Sequence, residues 1–406
     1  MKVPRRRPRW SELRPLLRLE PPAVTPRARL ARAHDVADLR RMARRRTPPA
    51  VFDYTEGAAG DEIASRRAEA AFARVEFVPH VLRDVSKIDT ATTVLGRPSA
   101  LPIAFGPTGF TRMMHHEGEA AVATAAERAG IPYALSTMGS TSIEAIADIA
   151  PGLDRWFQLY VWKDRAQSRE FISRARESGY STLVVTIDVT AQGNRLRDVR
   201  NGLTIPPSLT PRTLAGMARF PAWWFNKLTT EPLGFASMPR GDSRPLHEVI
   251  HSLFDPSVTF DDLDWLRAEW PGSLVVKGVL RPDDARELVR LGVDGLVVSS
   301  HGGRQLDRAV APLDALPDVV EAVDGGAEVM LDGGVRNGAD AVAAVALGAR
   351  AVLVGRPYLY ALMAGGEAGV DRLCDLLAAD VRRTMALLGV DSVDQLSAES
   401  VRLRSR

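Results

Sequence analysis

The feature that most constrains the fold is a regular alternation of apolar runs and helical patterns that begins at residue 101. Each run is rich in aliphatic side chains and is followed by glycine or polar residues. The eight runs are Leu101–Phe105, Ile131–Leu135, Trp156–Tyr160, Thr182–Ile187, Ser273–Val276, Gly295–Val298, Ala327–Leu331 and Ala351–Val354. Strands that alternate with helices form parallel sheets, and eight such units predict a closed (β/α)8 barrel of the α/β class.

Helical patterns lie between most of these runs. They span Glu117–Ala129, Ile143–Ile149, Arg165–Glu177, Pro282–Leu291, Pro312–Val323 and Gly338–Leu347. An open, doubly wound sheet is the alternative, but it usually has fewer strands and a glycine-rich phosphate loop after the first strand. The sequence contains neither a G-x-G-x-x-G motif nor a P-loop. We therefore predict a single TIM barrel.

Three other segments frame the predicted barrel. Residues 1–32 are rich in arginine and proline and predict a flexible basic arm. Residues 33–390 form the predicted barrel domain, which begins with a helical pattern at Ala33–Arg46. The long gap between the fourth and fifth runs predicts a loop insert at about residues 189–272, and residues 391–406 form a C-terminal tail.

Charge is distributed unevenly along the chain. Residues 1–46 contain 15 basic and four acidic residues, a net charge of +11, so the rest carries −8 within a total of +3. A basic arm indicates either a solvated extension or a contact with an anionic membrane surface. The insert contains Trp223-Trp224-Phe225, which either packs against the barrel or lies at a membrane interface. No basic face alternates with exposed aromatics, so we expect no nucleic-acid partner.

Composition gives an expectation about the compartment. No stretch approaches the roughly 18–20 apolar residues that span a bilayer, and no apolar core follows the basic N-terminus as a secretory signal would require. Hydrophobic residues make up 45% of the chain and charged residues 25%, which is ordinary for a globular protein. We therefore expect a cytoplasmic protein.

Disulfides and metal sites are not expected. Cys374 is the sole cysteine and has no partner for an internal disulfide. His115-His116-Glu117 offers metal-ligating side chains, but adjacent residues do not share a helix face and no further ligand is evident. We therefore predict that the chain holds no metal ion.

Polar side chains recur where the apolar runs end. In a (β/α)8 barrel, the carboxyl ends of all strands meet at one rim, which carries the active site. Packing alone does not require charged groups there, so this concentration predicts an active site. In chain order, these residues are Pro107, Thr108, Gly109, Ser136, Gln158, Tyr160, Thr186, Asp188, Lys277, Ser299, His301, Arg304, Asp332, Gly333, Gly334, Arg336, Gly355 and Arg356.

The last two clusters suggest a phosphate site. Glycines allow backbone N–H groups to approach an anion, and Arg336 and Arg356 supply positive charge and forked donors. Phosphate sites after the seventh and eighth strands recur in barrels. The alternative is that these glycines serve only tight strand-to-helix turns.

His301 is the candidate proton acceptor. It follows a predicted strand beside two glycines and Arg304, and imidazole suits proton transfer near neutral pH. Asp188, at another strand end, could orient the ring and favour its charged form. Arg304 and Arg195 could hold a carboxylate through paired hydrogen bonds.

Several motifs together resemble the FMN-dependent α-hydroxy acid oxidase and dehydrogenase family over about residues 33–390. The stretches Arg195–Gly202, Trp223–Phe225 and Asp255–Phe260 are most similar to actinobacterial, quinone-linked L-lactate dehydrogenases. The wider motifs are Phe52-Asp53-Tyr54, Pro107-Thr108-Gly109, Phe157-Gln158-Leu159-Tyr160, Thr186-Ile187-Asp188, Val276-Lys277-Gly278, Ser299–Asp307, Asp332–Arg336 and Gly355-Arg356-Pro357.

The resemblance implies an FMN cofactor and a role for each site residue. Lys277 would lie by the N1/C2 carbonyl edge of the flavin and stabilise negative charge on the reduced ring. His301 would take the substrate proton, supported by Asp188. The remaining roles fall into three groups. The substrate would be held by Tyr54, Tyr160, Arg195 and Arg304; the flavin ring by Pro107, Thr108, Gly109, Ser136, Gln158, Thr186 and Ser299; and the ribityl phosphate by Asp332, Gly333, Gly334, Val335, Arg336, Gly355 and Arg356.

The implied activity is oxidation of an L-2-hydroxy acid, with L-lactate converted to pyruvate as the first candidate and a quinone or other acceptor taking the electrons. The resemblance also implies a homotetramer, and we expect peripheral attachment to the cytoplasmic membrane face. Met138 stands where glycolate oxidases have tryptophan, and Ser300 where the family usually has asparagine. Alternatives are an oxygen-using oxidase, a mandelate-type dehydrogenase, an FMN-dependent isomerase or an inactive binding barrel.

Overall fold

The structure is a computed structural model that describes residues 6–17, 25–202, 216, 218–237 and 255–404. Parts of the predicted arm, insert and tail therefore lie outside the described residues. Eight parallel strands close into a barrel, which confirms the predicted (β/α)8 fold. The strands are β1 Ile103–Phe105, β2 Tyr133–Ser136, β3 Arg155–Leu159, β4 Thr182–Thr186, β5 Ser273–Val279, β6 Gly295–Ser299, β7 Glu328–Asp332 and β8 Ala351–Val354.

The strands read as continuous apolar runs because both of their faces are buried. Along β4, Val184 points into the barrel interior, where it packs with Val275 of β5 and Met330 of β7. Its neighbours Leu183 and Val185 point outward and pack beneath the helices. A strand that is covered on both faces has no solvent side to mark with polar residues.

Helices surround the barrel and begin at short polar side chains. Ser142, Asp164 and Asn337 each accept a backbone N–H of the helix that follows, which fixes its first turn. The helices after β1 to β7 are Thr111–Met114, Gly118–Ala129, Ile143–Ile149, Arg165–Glu177, Leu196–Asn201, Pro221–Leu228, Asp262–Glu269, Pro282–Arg290, Pro312–Val323 and Gly338–Ala346. The helix after β8, Arg356–Leu388, has 33 residues and is interrupted at Gly365 and Gly366.

N-terminal helices extend the fold beyond the barrel, and Pro26–Leu30, Val36–Arg46 and Pro49–Glu56 pack against this last helix. The others are Trp10–Leu13, which has no buried residue, and Ile63–Phe72, which packs against the helix Pro312–Val323. Leu30 is buried against Gly365, so the Pro26–Leu30 turn packs on the body although it lies within the predicted arm. The helix Val36–Arg46 ends before Pro48 and Pro49, and Pro49 occupies the first turn of the next helix, where a missing N–H is harmless.

Two small strand pairs complete the fold. Thr92–Val94 and Arg97–Ser99 form a hairpin whose Val94 packs with the side chains that fill the barrel. Val401–Leu403 pairs antiparallel with Val75–Phe77, so the predicted tail is tied to the body by a strand. The predicted domain boundaries at residues 32 and 390 stay predictions, and buried side chains lie on both sides of each boundary.

The insert packs on the loops after β1 and β2. Trp223 lies in the helix Pro221–Leu228 and donates from Nε1 to the carbonyl oxygen of Met113 at 3.2 Å. Phe225 and Leu228 point outward from the same helix and are 68% and 78% exposed. Within the aromatic cluster, Trp223 therefore packs on the barrel loops, whereas Phe225 is exposed to solvent. No helix among the described residues is long and apolar enough to cross a membrane.

Candidate active site

A cavity opens at the carboxyl ends of the barrel strands, where the sequence predicts the site. Most of the predicted residues line it directly. These are Tyr54, Pro107, Thr108, Gly109, Ser136, Tyr160, Arg195, Lys277, His301, Arg304, Asp332, Gly333, Gly334, Val335, Arg336, Gly355 and Arg356. Asp188, Gln158 and Ser299 lie behind this lining, each hydrogen-bonded to one of its members, and Thr186 pairs with Lys277 across β4 and β5.

His301 and Asp188 form a hydrogen-bonded pair at the cavity. His301 Nδ1 lies 2.8 Å from Asp188 Oδ1, and the His301 backbone N–H donates to Ser299 Oγ at 3.0 Å. Burial raises the pKa of Asp188, but the contacts with His301 and the charge of Lys277 outweigh burial and hold it below its ordinary value. An ionised Asp188 fixes the orientation of the imidazole through this hydrogen bond.

Glycine allows this pair to form beside β5. Gly278 has φ +112°, and a Cβ there would come within 2.7 Å of Asp188 Cβ. The ladder between β5 and β6 shifts register between Lys277 and Val279, at the same place. A bulge of this kind re-aims the neighbouring side chains, and here Lys277 lines the cavity.

Lys277 holds a buried positive charge at the barrel mouth. Its Nζ lies 2.7 Å from Asp332 Oδ2 and donates to Ser299 Oγ at 3.0 Å, and Ser299 Oγ donates to Asp332 at 2.7 Å. Burial lowers the pKa of Lys277, but the carboxylates of Asp332 and Asp188 outweigh that effect and raise it above its ordinary value. The ammonium group is therefore charged at neutral pH.

Two half-buried arginines face the same cavity as His301. Arg304 Nη1 donates to the carbonyl oxygens of Tyr54 at 2.7 Å and Gly57 at 2.9 Å, and its guanidinium lies over the Tyr54 ring. Arg195 Nε is buried and has no hydrogen-bond partner among the described residues. Burial and the nearby Arg195 lower the pKa of Arg304 to about 9. A carboxylate bound between these guanidinium groups would offset their repulsion.

The residues present fit the flavin that the sequence implies. Gln158 Nε2 and Thr186 Oγ1 are buried without a hydrogen-bond partner in the part of the chain that the structure describes. Buried polar groups are normally paired, and the polar edge of a flavin ring would pair these. At the β7 end, Gly334 has φ +86°, and a Cβ there would come within 2.2 Å of the Ala68 carbonyl oxygen. Only glycine fits this approach.

The two arginines proposed for phosphate line the cavity and also bind protein groups. Arg356 donates to the carbonyl oxygens of Thr55, Gly302 and Gly57 at 2.9–3.0 Å, which uses three of its five N–H groups. Burial lowers the pKa of Arg356, and the positive charge of Arg336 adds to the effect. An anion at this end of the cavity would relieve that repulsion.

Sequence reasoning missed Glu119, which is fully buried beside the cavity wall. Its carboxylate accepts the Thr111 N–H at 3.2 Å, the Ser140 N–H at 2.7 Å and the Thr141 hydroxyl at 3.0 Å. Thr111 follows β1, whereas Ser140 and Thr141 follow β2. The available signal was a carboxylate within the apolar, alanine-rich start of the helix Gly118–Ala129.

The expectation of no metal ion stays a prediction, but its reasoning changes. His115, His116 and Glu117 lie in the turn before the helix Gly118–Ala129, and their ligand atoms are within 4.8 Å of one another. Burial, His116 and the charges of Arg46 and Lys227 lower the pKa of His115 to about 3. The two positive side chains oppose a cation at this turn.

Comparisons with known proteins agree with this geometry. Residues 43–403 match the family described as FMN-dependent dehydrogenase. The chain is 51% identical over 402 residues to a Mycobacterium tuberculosis protein named "Putative L-lactate dehydrogenase", covering 99% of this chain and 97% of that one. It is 41% identical over 370 residues to the L-lactate dehydrogenase of Alcaligenes faecalis, covering 89% and 97%.

A solved structure of (S)-mandelate dehydrogenase, described as a monotopic membrane protein, superposes with a TM-score of 0.88 at 37% identity and covers 92% of this chain and 100% of that one. A mandelate oxidase structure gives a TM-score of 0.79 at 38% identity, covering 92% and 98%. The family match spans most of the chain, and the cavity fits the cofactor that the family uses. The chain therefore belongs to the family of FMN-dependent dehydrogenases.

Proposed function

We propose that this enzyme oxidises an L-2-hydroxy acid to the 2-oxo acid, with L-lactate as the principal substrate and FMN as the bound cofactor. The observation that carries the proposal is that one cavity is lined by two half-buried arginines and by a histidine that an aspartate holds from behind. His301 offers a proton acceptor held by Asp188 at 2.8 Å. Arg195 and Arg304 offer a site for a carboxylate. A 2-hydroxy acid presents both groups on adjacent carbons.

Each residue then has a role in the reaction. Arg195 and Arg304 bind the substrate carboxylate together with Tyr54, and Tyr160 orients the hydroxyl group. His301 accepts a proton from the substrate, and Asp188 stabilises the resulting imidazolium. The flavin, when bound, accepts the two electrons that the hydroxy acid loses.

The remaining site residues would hold and tune the cofactor. Lys277 stays charged and stabilises negative charge on the reduced ring. Around the ring, the contacts would come from Pro107, Thr108, Gly109, Ser136, Gln158, Thr186 and Ser299. Along the ribityl chain and phosphate, they would come from Asp332, Gly333, Gly334, Val335, Arg336, Gly355 and Arg356.

Anaerobic reduction of the bound flavin tests the proposal. Mixing the FMN-loaded enzyme with L-lactate should bleach the flavin absorbance and yield one pyruvate per flavin. D-lactate is the matched control and should leave the spectrum unchanged. If no member of a panel of L-2-hydroxy acids bleaches the flavin, the proposed activity is wrong.

A mandelate-type substrate is the second candidate. Solved relatives at 37% and 38% identity are named (S)-mandelate dehydrogenase and mandelate oxidase. Met138 lines the cavity beside Gly109 and is a flexible side chain that can make room for a ring. In the same panel, we expect a higher kcat/KM for L-lactate than for (S)-mandelate, and the opposite order would favour this candidate.

We also propose how the enzyme operates in the cell. A quinone at the cytoplasmic face of the membrane would take the electrons, and the enzyme would attach there peripherally as a homotetramer. The exposed Phe225 and Leu228 support membrane contact. Anaerobic quinone reduction, compared with oxygen consumption, tests the acceptor, and the mass of the FMN-loaded protein in solution tests the tetramer.

A further inference from the structure

A second, apolar chamber lies beside the active-site cavity. It is formed where β3, β4 and β5 end, between the barrel wall and the helices Asp262–Glu269 and Pro282–Arg290. Its walls are chiefly aliphatic side chains. They include Val161, Val185, Val258, Leu263, Leu266 and Leu288.

The chamber and the active-site cavity share a wall. Tyr160 and Val189 line both spaces. Tyr160 is also the residue proposed to orient the substrate hydroxyl. A molecule in the chamber would therefore lie one side chain away from the reacting groups, without entering the substrate cavity.

The two spaces differ in charge. The acidic residues of the chamber, Asp255 and Asp262, are both paired with Arg165, whose Nη1 lies 2.7 Å from Asp255 and whose Nη2 lies 3.1 Å from Asp262. With one arginine for two carboxylates, this part of the chamber carries a formal net charge of −1 and the rest is mostly apolar, whereas the substrate cavity holds Arg195 and Arg304. An anionic substrate is favoured in the cavity and disfavoured in the chamber, where an uncharged apolar molecule is favoured.

The chamber opens to the surface beside the exposed members of its lining. Two are the apolar Ile187 and Phe260, 37% and 39% exposed, and two are the polar Thr190 and Thr259. The apolar pair lies near the barrel rim, Ile187 just after β4 and Phe260 just before the helix Asp262–Glu269. This mouth admits an apolar ring from the surface without passing the charged groups of the substrate cavity.

We infer that this chamber binds the ring of an uncharged electron acceptor of the quinone class. The inference rests on the proposed function, because the hydroxy acid must pass on two electrons and two protons. A quinone takes up both pairs and becomes a quinol, so no further reactant is needed. Substrate and acceptor then occupy separate sites that share the Tyr160 wall.

Two substitutions test the chamber from inside and at its mouth. Val258→Phe fills part of the space, and Phe260→Glu places a charge at the entrance. Val81→Phe and Val81→Glu are the controls, because Val81 is 79% exposed and lines neither cavity. The probe is menadione, a small uncharged naphthoquinone. Its binding to the oxidised, FMN-loaded enzyme is measured by calorimetry and its reduction by steady-state kinetics.

Val258→Phe should raise both the Kd and the KM for menadione about tenfold or more, since overpacking a site costs ~1–3 kcal/mol. Phe260→Glu should act in the same direction, and the Val81 variants should match the wild type. Reduction of the flavin by L-lactate in the absence of an acceptor should keep its wild-type rate in all four variants.

Unchanged menadione binding in Val258→Phe and Phe260→Glu, with FMN retained, would overturn the inference. So would a Phe260→Glu variant that loses flavin reduction by L-lactate together with quinone binding, because the two sites would then not be separate. If L-lactate fails to reduce the wild-type flavin, the proposed function fails, while menadione binding to the oxidised enzyme still decides whether the chamber is a site.

Discussion

His301 adopts a backbone conformation that most side chains avoid. Its φ is +56°, and Gly302 and Gly303 continue in the left-handed region at +60° and +72°. For a residue other than glycine, this conformation costs on the order of 1–3 kcal/mol and persists only where surrounding contacts enforce it. Here the backbone N–H bond to Ser299 and the ring bond to Asp188 provide those contacts. Such strain is found most often at functional sites.

His301→Ala should retain FMN and lose most of the reaction. We expect reduction of the flavin by L-lactate to slow by at least ~10²-fold, because a general base typically contributes 10²–10⁴. The measurement is anaerobic stopped-flow absorbance, with FMN content determined on the same sample. His34→Ala, at an exposed position, is the control and should behave as wild type. A near-normal rate in His301→Ala would remove His301 from the mechanism.

The residues of the site could be predicted where the chain geometry alone brings them together. A parallel barrel places the ends of all strands at one rim, so Lys277 and Asp332 are neighbours although they are far apart in sequence. Other contacts could not be predicted, because they depend on how loops fold back over the rim. These are the hydrogen bonds that Glu119 accepts and the bond from Arg356 to the Thr55 carbonyl oxygen. Sequence pattern carries no signal for such contacts.

At the scale of elements, Glu119 joins the loops that form one wall of the flavin cavity. The Phe110 N–H donates to the Met138 carbonyl oxygen at 2.9 Å, so the two loops also touch directly. A Cβ on Gly109 would come within 2.9 Å of Met138 Cβ, which shows how closely they approach. We therefore regard Glu119 as a positioning residue for this wall.

Glu119→Ala should weaken FMN binding by about tenfold or more, because it leaves several buried donors unpaired at ~1–3 kcal/mol each. Glu119→Gln should restore binding to within about threefold, since its amide can accept one set of donors and donate to the hydroxyls of Ser140 and Thr141. The measurement is the FMN dissociation constant of the refilled apoprotein, together with KM and kcat for L-lactate.

Glu127→Ala is the control for this prediction, because Glu127 lies in the same helix and its carboxylate caps Gly152, away from the rim. It should lower thermal stability without changing FMN affinity. A Glu119→Ala variant that loses only stability, with FMN affinity and KM unchanged, would reduce Glu119 to a purely structural role.

The barrel strands and most of their helices could be predicted because each carries a complete local pattern. The helix Ile143–Ile149 begins at a capping serine, and its bounds match the prediction. The pairing of Val401–Leu403 with Val75–Phe77 could not be predicted, since the two partners lie at opposite ends of the chain. The helix Arg356–Leu388 was missed because two consecutive glycines interrupt its periodicity.

At the scale of the whole molecule, basic and exposed apolar side chains both occur outside the barrel. The helix Val36–Arg46 ends in three arginines, and Lys227 lies in the insert helix Pro221–Leu228, from which Phe225 and Leu228 project. Basic residues beside exposed apolar side chains favour an anionic membrane surface.

Co-sedimentation with anionic vesicles tests this surface, and the structure decides which variants are informative. Trp223 is half-buried and hydrogen-bonded, so its substitution would disturb packing. Phe225→Ser/Leu228→Ser removes the exposed apolar groups, with Val81→Ser/Leu82→Ser as a control that removes two exposed apolar residues elsewhere. A chain lacking residues 1–24 removes much of the basic arm but keeps Leu30, which is buried against the body.

We expect the intact FMN-loaded protein to sediment with anionic vesicles at low salt and to be released as salt rises, because each basic residue near the surface contributes ~1 kcal/mol. The truncated chain should bind more weakly and with less salt dependence. Phe225→Ser/Leu228→Ser should bind more weakly at all salt concentrations, and the Val81/Leu82 control should match the wild type. If the intact protein stays in the supernatant at low salt, peripheral attachment is wrong, and an acceptor that diffuses in solution must carry the electrons away.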